Sequence, residues 1–518
     1  MQTSRRNFVK IASLGSVGLA ALSSFDFQSS LAGSLPRATP ESQGVDTEGI
    51  LNFLQAIQVS DLEWHSFILL RHGKVVAEAW WKPFAPEYKH TLYSLSKSFT
   101  STAIGFLVSE GKISVNDSVL KFFPKEAPTS PSENLRAMKI KHLLTMNTGQ
   151  DADTLPALRS ADGESWVKAF LAQSVPHAPG NHFVYNTGAT YMLGAILHSV
   201  RGQTLEEYLE PRFFKPLGIT GYDWEKSPQG LDVAGYGLRV KSEDIAKFGQ
   251  FYLQKGMWEG KQILPVSWVE EATSKQTDSR EGDSDWSQGY GYQFWRCKPG
   301  FYRGDGAYGQ FCFVMPEQDA VLVMTSESWD LQKSMNIAYE TLLPAFSEGQ
   351  LPENEVKQGF LKKEISQLSL PVTRGSVSSE LAARYSDKPF TLGKNPYGIS
   401  QLVVGFYSKN CVMKLTTPKG VEKMTFGWEN WVTNPGESKP IFPVPTRLET
   451  PVQIAGTATW TDENTLQLNT KSVTAIHGDQ MTLTFQGDQV TVNFMNSVSA
   501  HSKNFPDPRQ ALMGTLKA

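Results

Sequence analysis

Cysteine is nearly missing from this chain: Cys297, Cys312 and Cys411 are the only three in 518 residues. A disulfide framework is therefore excluded as the basis of its stability. Cys297 and Cys312 fall on neighbouring strand candidates, where they could pair, but the expectation is three small buried hydrophobes. Metal-ligand spacing is also lacking. The nine histidines are scattered and none opens a His-Glu-x-x-His pattern, so neither a metal nor a cofactor is expected. Charge of one sign is nowhere concentrated. With a net charge of −3 and no long basic or acidic block, the chain has no electrostatic footprint for nucleic acid. The apolar run nearest the N-terminus, Ile11 to Phe25, falls short of the roughly 20 residues that a bilayer-spanning helix needs. No internal repeat and no low-complexity tract occurs.

That short run has its own meaning. "SRRNFVK" (Ser4 to Lys10) sets two arginines before a Gly- and Ala-rich apolar stretch, and "SLA" (Ser30 to Ala32) offers small residues for cleavage. Residues 1–32 read as a twin-arginine-type signal peptide, with Val9 in place of the usual leucine. No cysteine lies near the cleavage region, so no stable membrane anchor is expected. The expectation is export through the twin-arginine machinery to a periplasm.

A hydrophobic share of 40% and a charged share of 19% describe a globular chain, and its length predicts at least two domains. "HSFILLRHGKVVAEAWW" (65–81) reads as strand, turn at His72-Gly73, strand. Helical spacing follows in "SLSKSFTSTAIGFLVSEGK", with Gly111 as a stop, and continues through a mostly helical middle. Strands return at "GYGYQFW" (289–295), "YGQFCFVM" (308–315) and "AVLVMTS" (320–326), and "LQKSMNIAYETLLPAF" closes the unit as a helix. With strands at both ends and helices between, the economical arrangement for residues 33–350 is an antiparallel sheet flanked by helices, with a helical lobe and a cleft at the seam. From Val356 the texture changes to short alternating strands, and residues 356–518 read as a second, all-β domain, a sandwich or small barrel.

One pattern carries chemistry. Ser-x-x-Lys occurs at Ser94, Ser109, Ser118 and Ser165. Ser109 ends a helix, where the dipole disfavours developing negative charge. Ser118 sits in a loop and Ser165 in an amphipathic helix. Ser94 alone starts a helix directly after a loop, where free backbone N–H groups can stabilise an oxyanion. Lys97 shares its helix face, and burial there would lower its pKa enough for the neutral amine to take the serine proton.

The chain from about Pro36 to Ser347 resembles the serine β-lactamase-like hydrolases, which include class C β-lactamases, D-Ala-D-Ala peptidases, esterases and nylon-oligomer hydrolases. The resemblance rests on five segments in family order: "YSLSKSFTS", "IKHLLTMNTG", "FVYNTGATYMLGAI", "RVKSEDIAKFGQFYLQKGMWEGKQILP" and "GDGAYGQFCFVMPEQDAVLVMT". It implies an α+β, β-lactamase/transpeptidase-like fold with Ser94 as nucleophile, Lys97 assisting its deprotonation and Tyr185 as base or proton shuttle. A phenol beside an ammonium is expected to titrate low. The oxyanion hole would combine the amides of Ser94 and Ala307. The substrate-binding set is expected to be Thr187, Gly304, Gly306 and Ala307, with Asn186 and Thr187 both candidates for the third position of the family's Tyr-x-Asn segment. Gly304-Asp305-Gly306 replaces Lys-Thr-Gly, so the cation that holds a substrate carboxylate is missing. Arg303 is expected to point away from the cleft by strand alternation, and Asp305 to repel a carboxylate. The reading is therefore an exported serine hydrolase acting on a small-molecule ester or amide. The alternatives are a β-lactamase or D-Ala-D-Ala carboxypeptidase, and a non-catalytic binding or sensor protein on the same fold.

Overall fold

A computed structural model describes residues 33–161, 165–443 and 450–517; the signal-peptide reading of residues 1–32 lies outside the described residues. The two ends of the first domain meet in one six-stranded sheet. Its order is Lys74–Trp80, Trp64–Arg71, Ala320–Ser326, Gln310–Met315, Tyr302–Gly306, Trp295–Arg296, and every neighbouring pair is antiparallel. His72 and Gly73 both have positive φ, 50° and 73°, the combination that closes a two-residue hairpin.

The sheet is buried on both faces, and period-2 alternation divides its side chains between two cores. Phe67, Leu69, Phe311, Phe313, Leu322 and Met324 pack under the helices Thr47–Gln58 and Leu331–Leu342. Ile68, Leu70, Cys312, Val314, Val321 and Val323 face the helix Ser242–Leu253 and the helical lobe. The helix Thr47–Gln58 shows why these segments dock. Asp46 caps its N-terminus by accepting from Glu48 N, and Ile50, Phe53, Leu54 and Ile57 fall on one buried stripe.

One strand reading fails in detail. Of "GYGYQFW", only Trp295 enters the sheet, because Gly289 and Gln293 take positive φ, 105° and 67°, and break the extended run. Gln293 is instead a buried tie. Its amide donates to the carbonyls of Leu143 and Leu144 and its oxygen accepts from Thr190. All three cysteines are buried and unpaired.

The C-terminal unit is a closed barrel. Strands from Pro389–Leu392 to Leu512–Leu516 form one antiparallel sheet, and a parallel pairing of Gly420–Trp428 with Ile454–Trp460 joins its ends. The helix Glu355–Gln367, which precedes it, packs back on Thr47–Gln58, and Leu361, Leu368 and Leu370 bury in the first domain's core. No helix among the described residues is long and apolar enough to cross a membrane.

Candidate active site

Ser94 sits in a single 3₁₀ turn, Tyr93–Leu95, that runs straight into the helix Ser96–Ser109. That helix is buried on all sides from Ser96 to Leu107, which takes Lys97 to 1% exposure. The Lys97 ammonium reaches Ser94 Oγ at 2.9 Å, the Gly235 carbonyl at 2.7 Å and Thr187 Oγ1 at 3.4 Å. Burial lowers its pKa to about 7, against the opposing pull of the Asp153 and Asp305 carboxylates. The other copies of the pattern are built differently. Ser109 and Ser118 donate to the carbonyls of Phe106 and Arg136, and Ser165 occupies the N-cap of the helix Trp166–Leu171.

Tyr185 joins this pair. Its ring stacks on Trp295 with centroids 5.4 Å apart, and Lys97 Nζ lies 4.8 Å from its centroid. The expectation that its phenol titrates low is wrong. Burial pushes it above the ordinary tyrosine range, a hydrogen bond with Ser94 opposes this, and Asp305 and Asp153 push it further up. With a lysine whose pKa is lowered and a phenol whose pKa is raised, the amine is the group able to lose its proton near neutral pH, and the phenol keeps its own.

Of Asn186 and Thr187, Thr187 is the one within reach of Lys97. Asn186 is fully buried and caps the helix Thr187–Arg201. Its Oδ1 accepts from Thr154 N, Thr154 Oγ1 and Ala189 N, and its amide donates to Gln150 at 2.7 Å. It is committed away from Lys97, and Thr187 supplies the contact. Asn followed by a helical run is a cap signature, so the sequence held the means to separate the two.

The strand Tyr302–Gly306 packs directly against the turn that carries Ser94. A Cβ on Gly304 would fall 2.2 Å from Leu95 Cδ1 and 3.0 Å from Ser98 Oγ, and one on Gly306 would fall 2.2 Å from the Leu92 carbonyl oxygen. Both glycines serve the close approach of the strand to the turn that carries Ser94, and position 304 has no room for the lysine of the family motif. Arg303 lies on the Asp305 side of the strand. The two are i and i+2 and share a face, so Arg303 Nε donates to Asp305 Oδ2 at 3.0 Å, with Nη2 at 2.9 Å. The Asp305 carboxylate is thereby paired, and the Arg303 guanidinium is spent on it while lying 5.0 Å from the Trp286 ring.

Ser94, Tyr185, Asp305 and Ala307 open onto one cavity of about 1200 Å³. Five tryptophans line it: Trp64, Trp81, Trp286, Trp295 and Trp329. So do the carboxylates of Asp61, Glu63, Asp305, Glu327 and Asp330, against the guanidinium of Arg280. Ser497 and His501 of the barrel complete one wall. Neither Arg280 nor the barrel residues belong to a motif, and their place is set by long-range packing alone. The fold also gathers Asp151, His177 and His182, with ligand atoms within 4.8 Å of one another, where the sequence shows no metal-ligand spacing. His177 hydrogen-bonds Asp151 at 2.7 Å and its ring lies 4.2 Å from that of His182.

An antiparallel sheet closed by the two ends of its domain, a helical lobe, and a buried Ser-x-x-Lys helix start facing a glycine-bearing edge strand define the β-lactamase/transpeptidase class of fold. A family model described as Beta-lactamase matches residues 65–344, more than half of the chain, and the chain belongs to that family. It is similar to a 6-aminohexanoate-dimer hydrolase of Paenarthrobacter ureafaciens, 25% identical over 284 residues that cover 51% of this chain and 72% of that one. It is also similar to the protein flp of Staphylococcus aureus, strain COL, 27% identical over 169 residues that cover 32% of this chain and 34% of that relative. Among solved structures, an octameric penicillin-binding protein homologue from Pyrococcus abyssi aligns over 90% of this chain and 99% of its own, at 17% identity and a TM-score of 0.46.

Proposed function

We propose that this member of a hydrolase family cleaves esters or amides through an acyl-enzyme on Ser94. The observation that carries the reading is the 2.9 Å contact between Ser94 Oγ and the buried Lys97 amine, whose pKa burial lowers to about 7. The relative named a 6-aminohexanoate-dimer hydrolase supports hydrolysis.

Neutral Lys97 takes the Ser94 proton as Oγ attacks the substrate carbonyl. The oxyanion is received by the backbone N–H groups of Ser94 and Ala307. Such donors each stabilise the transition state by about 3 kcal/mol. As the tetrahedral adduct collapses, the bond to the leaving alcohol or amine breaks. The protonated Tyr185 phenol gives its proton to the leaving group and regains one from the Lys97 ammonium. Water then attacks the acyl-enzyme as Lys97 accepts its proton, and when the adduct collapses the Lys97 ammonium returns that proton to Ser94 Oγ as the acid departs.

The cavity favours an uncharged acyl group with apolar or aromatic bulk. Five tryptophans line it, and the cations beside its carboxylates are engaged by them: Arg303 by Asp305, Lys333 by Asp61, and Lys471 by Glu63 and Glu327. The same features disfavour β-lactamase and D-Ala-D-Ala carboxypeptidase activity, which require a cation for the substrate carboxylate. A bulky neutral nitrophenyl ester is expected to exceed its hemisuccinate counterpart in kcat/KM by about tenfold or more, in keeping with ~1.4 kcal/mol of charge discrimination. A chromogenic cephalosporin is expected to remain intact. Preference for the hemisuccinate, or cephalosporin turnover at rates near those of the ester, would reverse the substrate assignment.

The paired arginines Arg5 and Arg6 support export to the periplasm through the twin-arginine machinery. Changing both to lysine is expected to leave the full chain in the cytoplasm on fractionation. Unchanged periplasmic recovery would refute that route.

A further inference from the structure

The C-terminal barrel reaches the nucleophile turn through a chain of polar groups centred on the buried pair Lys471 and Glu327. Lys471, His477 and Ser497, all from the barrel, converge on Glu327, which follows the sheet strand Ala320–Ser326. Lys471 Nζ lies 2.7 Å from Glu327 Oε2 and 2.5 Å from Glu63 Oε1, while His477 Nδ1 and Ser497 Oγ each lie 2.5 Å from Glu327 Oε1. Burial opposes the charge on Glu327, yet Lys471 and His477 beside it hold its carboxyl well below the ordinary range. An ionised Glu327 accepts from His477 Nδ1–H. The Tyr93 hydroxyl lies 2.5 Å from Nε2 of the same ring, so the imidazole bridges the Glu327 carboxylate and the Tyr93 hydroxyl.

Tyr93 immediately precedes Ser94, and its φ is 48°; Tyr308 immediately follows Ala307, and its φ is 65°. For bulky side chains this left-handed conformation is strained and persists only where the surroundings over-determine it. The Tyr308 carbonyl accepts from Ser326 Oγ at 2.6 Å and from Ser328 N at 3.0 Å, and the His477 ring adds a contact shared by both residues. It packs edge-on against Tyr93 at 5.9 Å and against Tyr308 at 4.9 Å, and the two tyrosines pack on each other at 5.2 Å. One barrel side chain thus touches both strained residues that flank the amides of Ser94 and Ala307.

We propose that His477 of the barrel is a positioning residue for the oxyanion hole, holding the Tyr93 and Tyr308 backbones so that the amides of Ser94 and Ala307 converge on one point. The barrel is then a working part of the active site. This rests on the acyl-enzyme reading above, and the test separates the two. The rate of Ser94 labelling by a fluorophosphonate is measured on the full chain as wild type, His477→Ala, His477→Gln and Tyr93→Phe. Steady-state ester kinetics and thermal unfolding are recorded alongside. His477→Ala is expected to slow labelling by about 100-fold and to lower kcat with little change in KM, the size of losing one oxyanion donor. Glutamine keeps an amide able to donate to or accept from the Tyr93 hydroxyl and is expected to restore most of the rate. Tyr93→Phe keeps the ring packing and removes only the hydrogen bond, so it reports even if the alanine variant does not fold; it is expected to label about tenfold more slowly than wild type. Wild-type labelling rates in Tyr93→Phe, or in a folded His477→Ala protein, overturn the inference while leaving the acyl-enzyme intact. Failure of the wild type to label at Ser94 overturns both.

Discussion

Ser94→Ala is expected to lower kcat/KM on any accepted ester by roughly 10⁶-fold and to abolish fluorophosphonate labelling, since loss of the nucleophile disables the whole catalytic unit. The substitution is mild for the fold. Ser94 lies in a short turn whose neighbours Leu92, Leu95 and Phe99 are fully buried, and alanine keeps that packing. The residual rate would come from oxyanion binding and proximity alone. Full labelling of the alanine protein would place the nucleophile elsewhere.

Lys97→Met is the second large effect, and it separates activity from stability. Removing the base is expected to lower kcat/KM by roughly 10³-fold. In the wild type, kcat/KM should rise as the pH passes through about 7, where the buried amine loses its proton. Stability follows the same group. An unfolded lysine stays protonated up to about pH 10.4, whereas folded Lys97 releases its proton near 7. Between those values the unfolded chain binds more protons, so the stability of the wild type rises with pH, and the full cost of a buried ammonium is present below pH 7. Methionine removes that cost, although the Gly235 carbonyl loses a partner worth about 1 kcal/mol. The melting temperature of Lys97→Met relative to wild type is therefore expected to be higher at pH 6 than at pH 9. A difference of the opposite sign would contradict the burial of a charge-bearing Lys97.

Much of this arrangement was legible because it is local. Continuous apolar runs in "HSFILLR" and "AVLVMTS" mark strands buried on both faces, whereas a helix start does not by itself single out Ser94, since Ser165, read as lying inside a helix, caps one. What was misread depends on environment or distance. The direction of the Tyr185 shift turns on burial against Trp295 and Tyr290, which no spacing reveals. The Arg303–Asp305 pair was within reach of strand periodicity, but the family motif drew the cleft-facing position to 304, where Leu95 leaves no space. The short strands Pro389–Leu392 and Leu512–Leu516 fall below the length at which alternation is visible, although they complete the barrel. His477 is 384 residues from Tyr93, and only the docking of the barrel brings them together.

The most direct measurement is a peptide map by mass spectrometry of wild-type protein quenched during turnover of a bulky neutral nitrophenyl ester. The predicted result is the mass of one acyl group on the peptide containing Ser94, disappearing as the ester is exhausted and absent from Ser94→Ala. An adduct on another residue, or sustained turnover by Ser94→Ala, would contradict the acyl-enzyme account.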